Sequence, residues 1–468
     1  MNTRFGCPAS FFAVLVVPML ALAQPDLFPD SSLTGDDPDG TFVPFGDAYG
    51  AAADTWNDWL FVGAPRETSF RDGADFQDGA VYIYRRVDGA YVFQQKLTMP
   101  GNSVFAGDRF GGGIAAEAGW LFVGVANDQD FPGLVDPRPD PAFGPFAFAG
   151  KVHIYQFNGS AWDYVQTLTA PDPGSFGQFG SRTQASHIAL DSQGKVAVIG
   201  ELDNFEGGVG QLHTYRLKMG GWQYVQTLEA PRAEIDQFGD DLVFANDKYL
   251  IAGGEDISDD GLTSQGYVFV YQTIGESGKV FDAPEQAVAG PVTVLADCPT
   301  DGFGVQGLDA AGGVVAVADP CAIGAAGPFA GAVSIYRLVE GSGPLVPETT
   351  IEGDEPDLYF GANTFESRHA VAVSDSGRRI LIGSPLAPVG FLDLSSFGAD
   401  VRVYAFDGAV WINESKLTTF TSVFAWSRQF GDTVFFVDDE TAFVREGNFI
   451  DPVISGFKGQ GLTYDLTP

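Results

Sequence analysis

The chain has 468 residues, among them 60 glycines and 28 prolines, and only 18% of its residues are charged. Glycine at nearly twice its usual share of about 7%, spread along the whole length, interrupts every apolar run and excludes a helical bundle or coiled coil. A hydrophobic content of 45% with 40 phenylalanines excludes a disordered chain, and a formal charge of −36 argues against nucleic acid and anionic membranes as partners.

The first residues read as a secretory leader. Arg4 supplies the positive end, Phe11 to Leu22 the apolar stretch, and Ala21-Leu22-Ala23 the small-residue cleavage site. Residues 1–23 are therefore expected to be removed, leaving 24–468 as an exported protein, secreted, periplasmic or at the cell surface. The apolar stretch is too short to span a bilayer, and no later segment approaches the ~20 apolar residues required. Cys7 would leave with the leader, so Cys298 and Cys321 would remain in an oxidising location.

From there a Phe-Gly pair recurs at Phe45, Phe110, Phe179, Phe238, Phe303, Phe360 and Phe430, in steps of 57 to 70 residues. Such a period is the signature of a repeat architecture. Each pair is followed by an apolar run ending in small residues, such as Leu60-Phe61-Val62-Gly63-Ala64-Pro65 or Ile380-Leu381-Ile382-Gly383-Ser384-Pro385. A period-two strand ending in tyrosine comes next, at Tyr84, Tyr155, Tyr215, Tyr271, Tyr336 and Tyr404. Tight turns follow at Asp88-Gly89, Asn158-Gly159, Gly220-Gly221 and Asp407-Gly408, and then a fourth strand. Seven units of four antiparallel strands predict an all-β, seven-bladed propeller. The last unit is short by one strand, and the segment before Phe45 carries Ser32-Leu33-Thr34, the analogue of Lys96-Leu97-Thr98. That segment is expected to close the ring as the outer strand of the last blade, beside Leu462-Thr463-Tyr464, within a single domain over 24–468.

Phe-Gly, then Val-Gly-Ala-Pro, then Gly79-Ala80-Val81-Tyr82 resembles the FG-GAP repeat of integrin α-subunit propellers. The Trp-x-x-x-Gln-x-Leu step at Trp162 to Leu168 and Trp222 to Leu228 is closest to bacterial exported members of that family. The resemblance covers essentially all of the mature chain and implies the propeller fold. It also implies a place to look for calcium, in the hairpin between the first two strands. None of these hairpins has the Asp-x-Asp-x-Asp-Gly pattern that would gather oxygens around the cation, so no integrin-type calcium site and no cofactor is expected. Asp256, Asp259 and Asp260 form the remaining weak calcium candidate, with a solvated acidic loop as the stronger reading.

Catalytic patterns are scarce. There is no Gly-x-Ser-x-Gly elbow, and Gly275-Glu276-Ser277-Gly278-Lys279 has Val280 where a phosphate loop needs Ser or Thr. His153 and His213 share one repeat position, which reads as packing, and His187 and His369 show no partner. No catalytic residue is assigned. Loop length instead concentrates on one face, between the second and third strands. The candidate ligand residues are therefore Arg66, Arg71, Asp72, Asp75 and Phe76 in the first unit, and Asp128, Asp130, Arg138 and Phe143 in the second. The expected function is a non-catalytic, monomeric binding or adhesion propeller for an extracellular protein or glycan. The alternatives are a lectin, a polysaccharide-active enzyme and a structural matrix component. Cys298 and Cys321, at the start of the first strand and the end of the second in unit five, are expected to form a disulfide.

Overall fold

The computed structural model describes residues 26–27, 31–34, 48–71, 74–76, 78–101, 107–127, 147–182, 185–202, 209–258, 262–275, 279–294, 302–305, 307–327, 330–341, 343–354, 360–361, 370–384, 400–418, 430–450 and 457–467. Every regular element among them is a strand. The strands form seven antiparallel blades in a ring, with two short ribbons in the connections. Blade one is Ala53–Trp56, Trp59–Ala64, Ala80–Val87 and Ala90–Thr98, ordered from the central axis outward, and the pattern repeats to blade six.

Blade seven combines both ends of the chain. Phe430–Asp438, Thr441–Ile450 and Phe457–Asp465 supply its first three strands, and Ser31–Thr34 pairs antiparallel with the third, Ser31 opposite Thr463 and Thr34 opposite Gln460. The expected closure is therefore present. One feature was not expected: Asp26–Leu27 runs parallel to the outer strand of blade six, opposite Lys416 and Leu417. The N-terminal segment thus reaches the outer edges of two blades.

The repeated residues are packing residues. Phe110, Phe179, Phe238, Phe303, Phe360 and Phe430 are all buried, as are the six repeat tyrosines. Tyr464 is a seventh tyrosine of the same kind, donating to Thr418 O at 2.8 Å just as Tyr215 donates to Thr169 O at 2.7 Å. Seven apolar clusters lie one at each junction between neighbouring blades, including blade seven with blade one, where Val437 and Phe443 meet Tyr49, Leu60 and Tyr82. Sterics explain the glycines of the motif. A Cβ on Gly63 would lie 2.1 Å from the carbonyl oxygen of Gly111, and one on Gly79 would lie 2.2 Å from that of Phe110. Both glycines of one blade therefore pack against the Phe-Gly pair of the next, and any side chain would push the blades apart.

The first-to-second strand connections are short turns, at Asn57-Asp58, Ala118-Gly119 and Gly312-Gly313 for example, as expected. Blade four departs from the minimal third-to-fourth turn. Its connection runs from Gln272 to Gln286, and within it Thr273 bridges Phe281. The Gly275-to-Lys279 segment belongs to this connection, and its central three residues lie outside the described ones. Cys321 is buried just past the second strand of blade five, while Cys298 lies outside the described residues.

Candidate functional site

The innermost strand of each blade has a neighbouring strand on only one side, so its other edge faces the axis. These seven edges surround a channel of about 330 Å³. Its walls include apolar residues such as Ile114 and Leu242, and four carboxyl groups: Asp54, Glu117, Asp309 and Asp375.

Asp54 and Asp309 stand at equivalent places in blades one and five, opposite Phe61 and Ala316 of the second strands. Each reaches across to the next blade. Asp54 accepts from Ala116 N at 2.7 Å and from Thr55 N at 2.7 Å; Asp309 accepts from Val373 N at 2.7 Å and from Ala310 N at 2.8 Å. Asp241 of blade four similarly accepts from Leu308 N at 2.8 Å and Gly307 N at 3.1 Å. These carboxyls satisfy edge amides that would otherwise have only water. Burial nevertheless dominates their titration: Asp54 is pushed up to about 7 and Asp309 to about 6, and Asp241 is raised as well.

Further acidic groups surround the mouth formed by the first-to-second strand turns. Burial raises Glu117, with the charges of Asp247, Asp191 and Asp375 adding to it. Burial and the neighbouring Asp439 and Asp438 raise Asp375. At Asp439 burial is outweighed by hydrogen bonds from Ser376 and Ser374 and by the Arg379 charge, so that carboxyl is held below its ordinary value. Carboxyl groups therefore do converge on the channel, which the sequence reading did not bring out. Among the described residues no group of three or more His, Cys, Asp or Glu side chains is arranged to hold a metal ion.

The histidines are built into the blades. His153 donates to or accepts from Thr167 Oγ1 at 2.8 Å, and burial lowers its pKa to about 4. His213 sits likewise against Thr227 Oγ1 at 2.9 Å, and also against Glu201 at 2.7 Å. Their rings lie 6.0 and 5.8 Å from Phe110 and Phe179, so the packing expectation holds, with an added polar contact at His213. His187 does have a partner: Asp240 of blade four, at 3.3 Å, with both side chains fully buried. Neither side chain is exposed to solvent, which fits a structural contact between blades. His369 lies outside the described residues.

Of the candidate ligand residues, Arg66 is half-buried at the start of the blade-one connection and makes polar contacts there. Arg71, Asp75 and Phe76 fall in a two-stranded ribbon, Ser69–Arg71 with Ala74–Phe76, that projects from the same connection. Asp72, Asp128, Asp130, Arg138 and Phe143 lie outside the described residues. Of the calcium candidates, Asp256 is in the second strand of blade four opposite Ile235, half-buried, while Asp259 and Asp260 lie outside the described residues. No helix among the described residues is long and apolar enough to cross a membrane.

No family model and no curated protein matches the chain. Solved structures do. A putative 6-phosphogluconolactonase from Bacteroides uniformis is 12% identical over 86% of this chain and 95% of its own, with a TM-score of 0.47. The β-propeller domain of the Trilobed protease from Pyrococcus furiosus, described as having an open velcro topology, is 10% identical over 71% and 77%, with a TM-score of 0.35. The acylaminoacyl peptidase of Pyrococcus horikoshii is 11% identical over 71% of this chain, which spans only 42% of the peptidase, with a TM-score of 0.39. None of these likenesses assigns a family or an activity.

Proposed function

We propose that this chain is an exported propeller of the FG-GAP type that binds an extracellular protein or glycan without transforming it. The leader at residues 1–23 and the Phe-Gly, Val-Gly and Gly-Ala-Val-Tyr landmarks support export and that family. One observation carries the binding reading: the two faces of the ring differ. Turns on one face are short, of two to six residues outside blade four, whereas on the other the connections between second and third strands run from Ala64 to Ala80 in blade one and from Val125 to Lys151 in blade two. Long connections on a rigid scaffold are where recognition residues are carried. A glycan array and a pull-down from native extracellular protein, both with residues 24–468, test the reading. Replacing Arg66, Arg71 and Arg138 together should abolish binding to any partner found, with an unchanged melting temperature; retained affinity would move the site elsewhere. The same exported setting favours a Cys298–Cys321 disulfide, worth roughly 3 kcal/mol for a loop of about 20 residues. Two alkylatable thiols in the denatured, unreduced mature chain would refute it.

A second reading places a small-molecule or catalytic site in the channel, and it rests on the convergence of Asp54 and Asp309 with raised pKa values. A hydrolase and lyase screen against soluble polysaccharides, repeated on Asp54→Asn and Asp309→Asn, separates the two. Turnover lost in both variants would favour the channel; no turnover at all would leave the binding reading standing.

A further inference from the structure

The outer strand of blade seven is held unlike any other outer strand. In blades one, two, three and six the outer strand follows its neighbour through a tight turn, so the two cannot drift apart. Ser31–Thr34 instead joins the ring through residues 35–47, leading to blade one. Its ladder has four residue pairs, against eight in blade one and eight in blade three. Asp26–Leu27 adds two parallel pairs on blade six. At the position that carries Gln95, Gln166, Gln226 and Gln286 in blades one to four, this strand has Ser31.

The ring itself stays fastened at this junction without that strand. Arg445, on the second strand of blade seven, pairs with Asp432 at 2.6 Å and donates through Nε to Tyr49 O of blade one at 3.2 Å, with both charged side chains buried. Arg86 of blade one pairs with Asp438. The apolar contact here is made by Val437 and Phe443 against Tyr49, Leu60, Val62 and Tyr82, with Leu33 only partly buried at its margin. Detachment of Ser31–Thr34 is therefore a local opening that leaves the seven blades joined. It uncovers the edge of Phe457–Asp465, a row of free N–H and C=O groups that templates another strand.

We propose that this edge is a strand-acceptor site that takes Ser31–Thr34 from a second copy of the chain as well as from its own, giving a strand-exchanged dimer. Exchange preserves the strand pairings of Asp26–Leu27 and Ser31–Thr34, so the connecting residues and the protein concentration set the balance. The occupant is specified by the register: Leu33 opposite Gly461, with its side chain entering the cluster beside blade one.

Cysteine trapping in the full chain tests the proposal. Ser31→Cys is placed in one copy and Thr463→Cys in another, because these residues face each other across the ladder. The two are mixed at high concentration, warmed below the melting temperature and oxidised. A covalent species of twice the chain mass is expected, growing with concentration and well above that from Ser31→Cys mixed with the off-register Gln460→Cys. The double variant in a single copy should cross-link within the monomer. A monomer-only mixture, alongside efficient cross-linking of the double variant, would overturn the proposal, and so would a double variant that fails to cross-link. Light scattering of the unmodified chain gives an independent reading: a dimer fraction rising with concentration supports exchange, and a constant monomer mass refutes it.

Discussion

From blade one round to blade five, each outer strand is tied to the next blade through a glutamine amide. Gln166 donates to Trp222 O at 2.8 Å while its oxygen accepts from Trp222 N at 2.9 Å, and Gln95 does the same to Trp162 at 3.0 Å both ways. Gln226 binds the backbone of Val280 and Phe281, and Gln286 that of Leu345. Over the remaining three junctions the same position holds Thr349, Ser415 and Ser31, and arginines take over. Arg337 lies over the rings of Phe406 and Trp411, Arg379 donates to Asp439 O at 2.8 Å, and Arg86 pairs with Asp438. The amide clamp is neutral, directional and indifferent to salt. The arginine contacts depend on charge, and in a chain of net charge −36 they also relieve repulsion between acidic blades. One scaffold problem thus has two solutions that respond differently to conditions.

The largest effect is expected where the charged half is also buried. Arg445→Ala removes the charged partner of the buried Asp432 carboxylate in blade seven and should cost about 3–5 kcal/mol. Chemical denaturation measures this, and a loss below that of a surface substitution would break the contrast between the halves. Gln166→Ala removes two hydrogen bonds and should cost about 1–2 kcal/mol, with the same loss at low and high salt; a salt-dependent loss would remove the distinction. Acid titration addresses the channel carboxyls that bridge each half, Asp54 in one and Asp309 in the other. Their folded pKa values of about 7 and 6 lie above the ordinary carboxylate value, so the native state binds the extra protons. On these two groups stability should therefore be greatest below the ordinary carboxylate value near 4 and fall as pH rises from there to about 7. The lowered His153 opposes this below about pH 6.5. Asp54→Asn should remove its share of that fall from about pH 4 up to about 7 and Asp309→Asn its share up to about 6, as melting curves across that range would register. The smallest effect belongs to Arg86→Ala. Both partners are about one-third exposed, so the loss should stay under about 1 kcal/mol and vanish in 0.5 M salt.

The fold was legible because the same steric demand is repeated at every junction. Phe110 and its counterparts fill the space between blades, and Gly63, Gly79 and Gly111 are forced by backbone contact, so these residues recur at fixed order however much the loops vary. The glutamine of the Trp-x-x-x-Gln-x-Leu step was visible as a motif, but its role was not, since its partner lies on the next blade. The channel was hidden for a different reason. At the place of Asp54 and Asp309 the other blades carry Ala115, Ala189, Val243, Ala372 and Phe435, so the carboxyls form no sequence pattern. The pairing of His187 with Asp240 was equally invisible, being a contact between one blade's inner strand and the next. The parallel placement of Asp26–Leu27 had no signal at all: two residues are too few for a period.

The pairing of Ser31–Thr34 with Phe457–Asp465 also orders events during synthesis. Ser31–Thr34 is made well before its acceptor, so six blades can form while the seventh still lacks its inner strands. Throughout that interval Ser31–Thr34 lacks its partner strand, although Asp26–Leu27 can already lie along blade six, and blade one has a bare flank. Any stall or premature stop before Phe457 would release a chain with an unpaired strand at one end and an exposed blade at the other. Synthesis of Phe457–Asp465 is thus the step that lets this ring close.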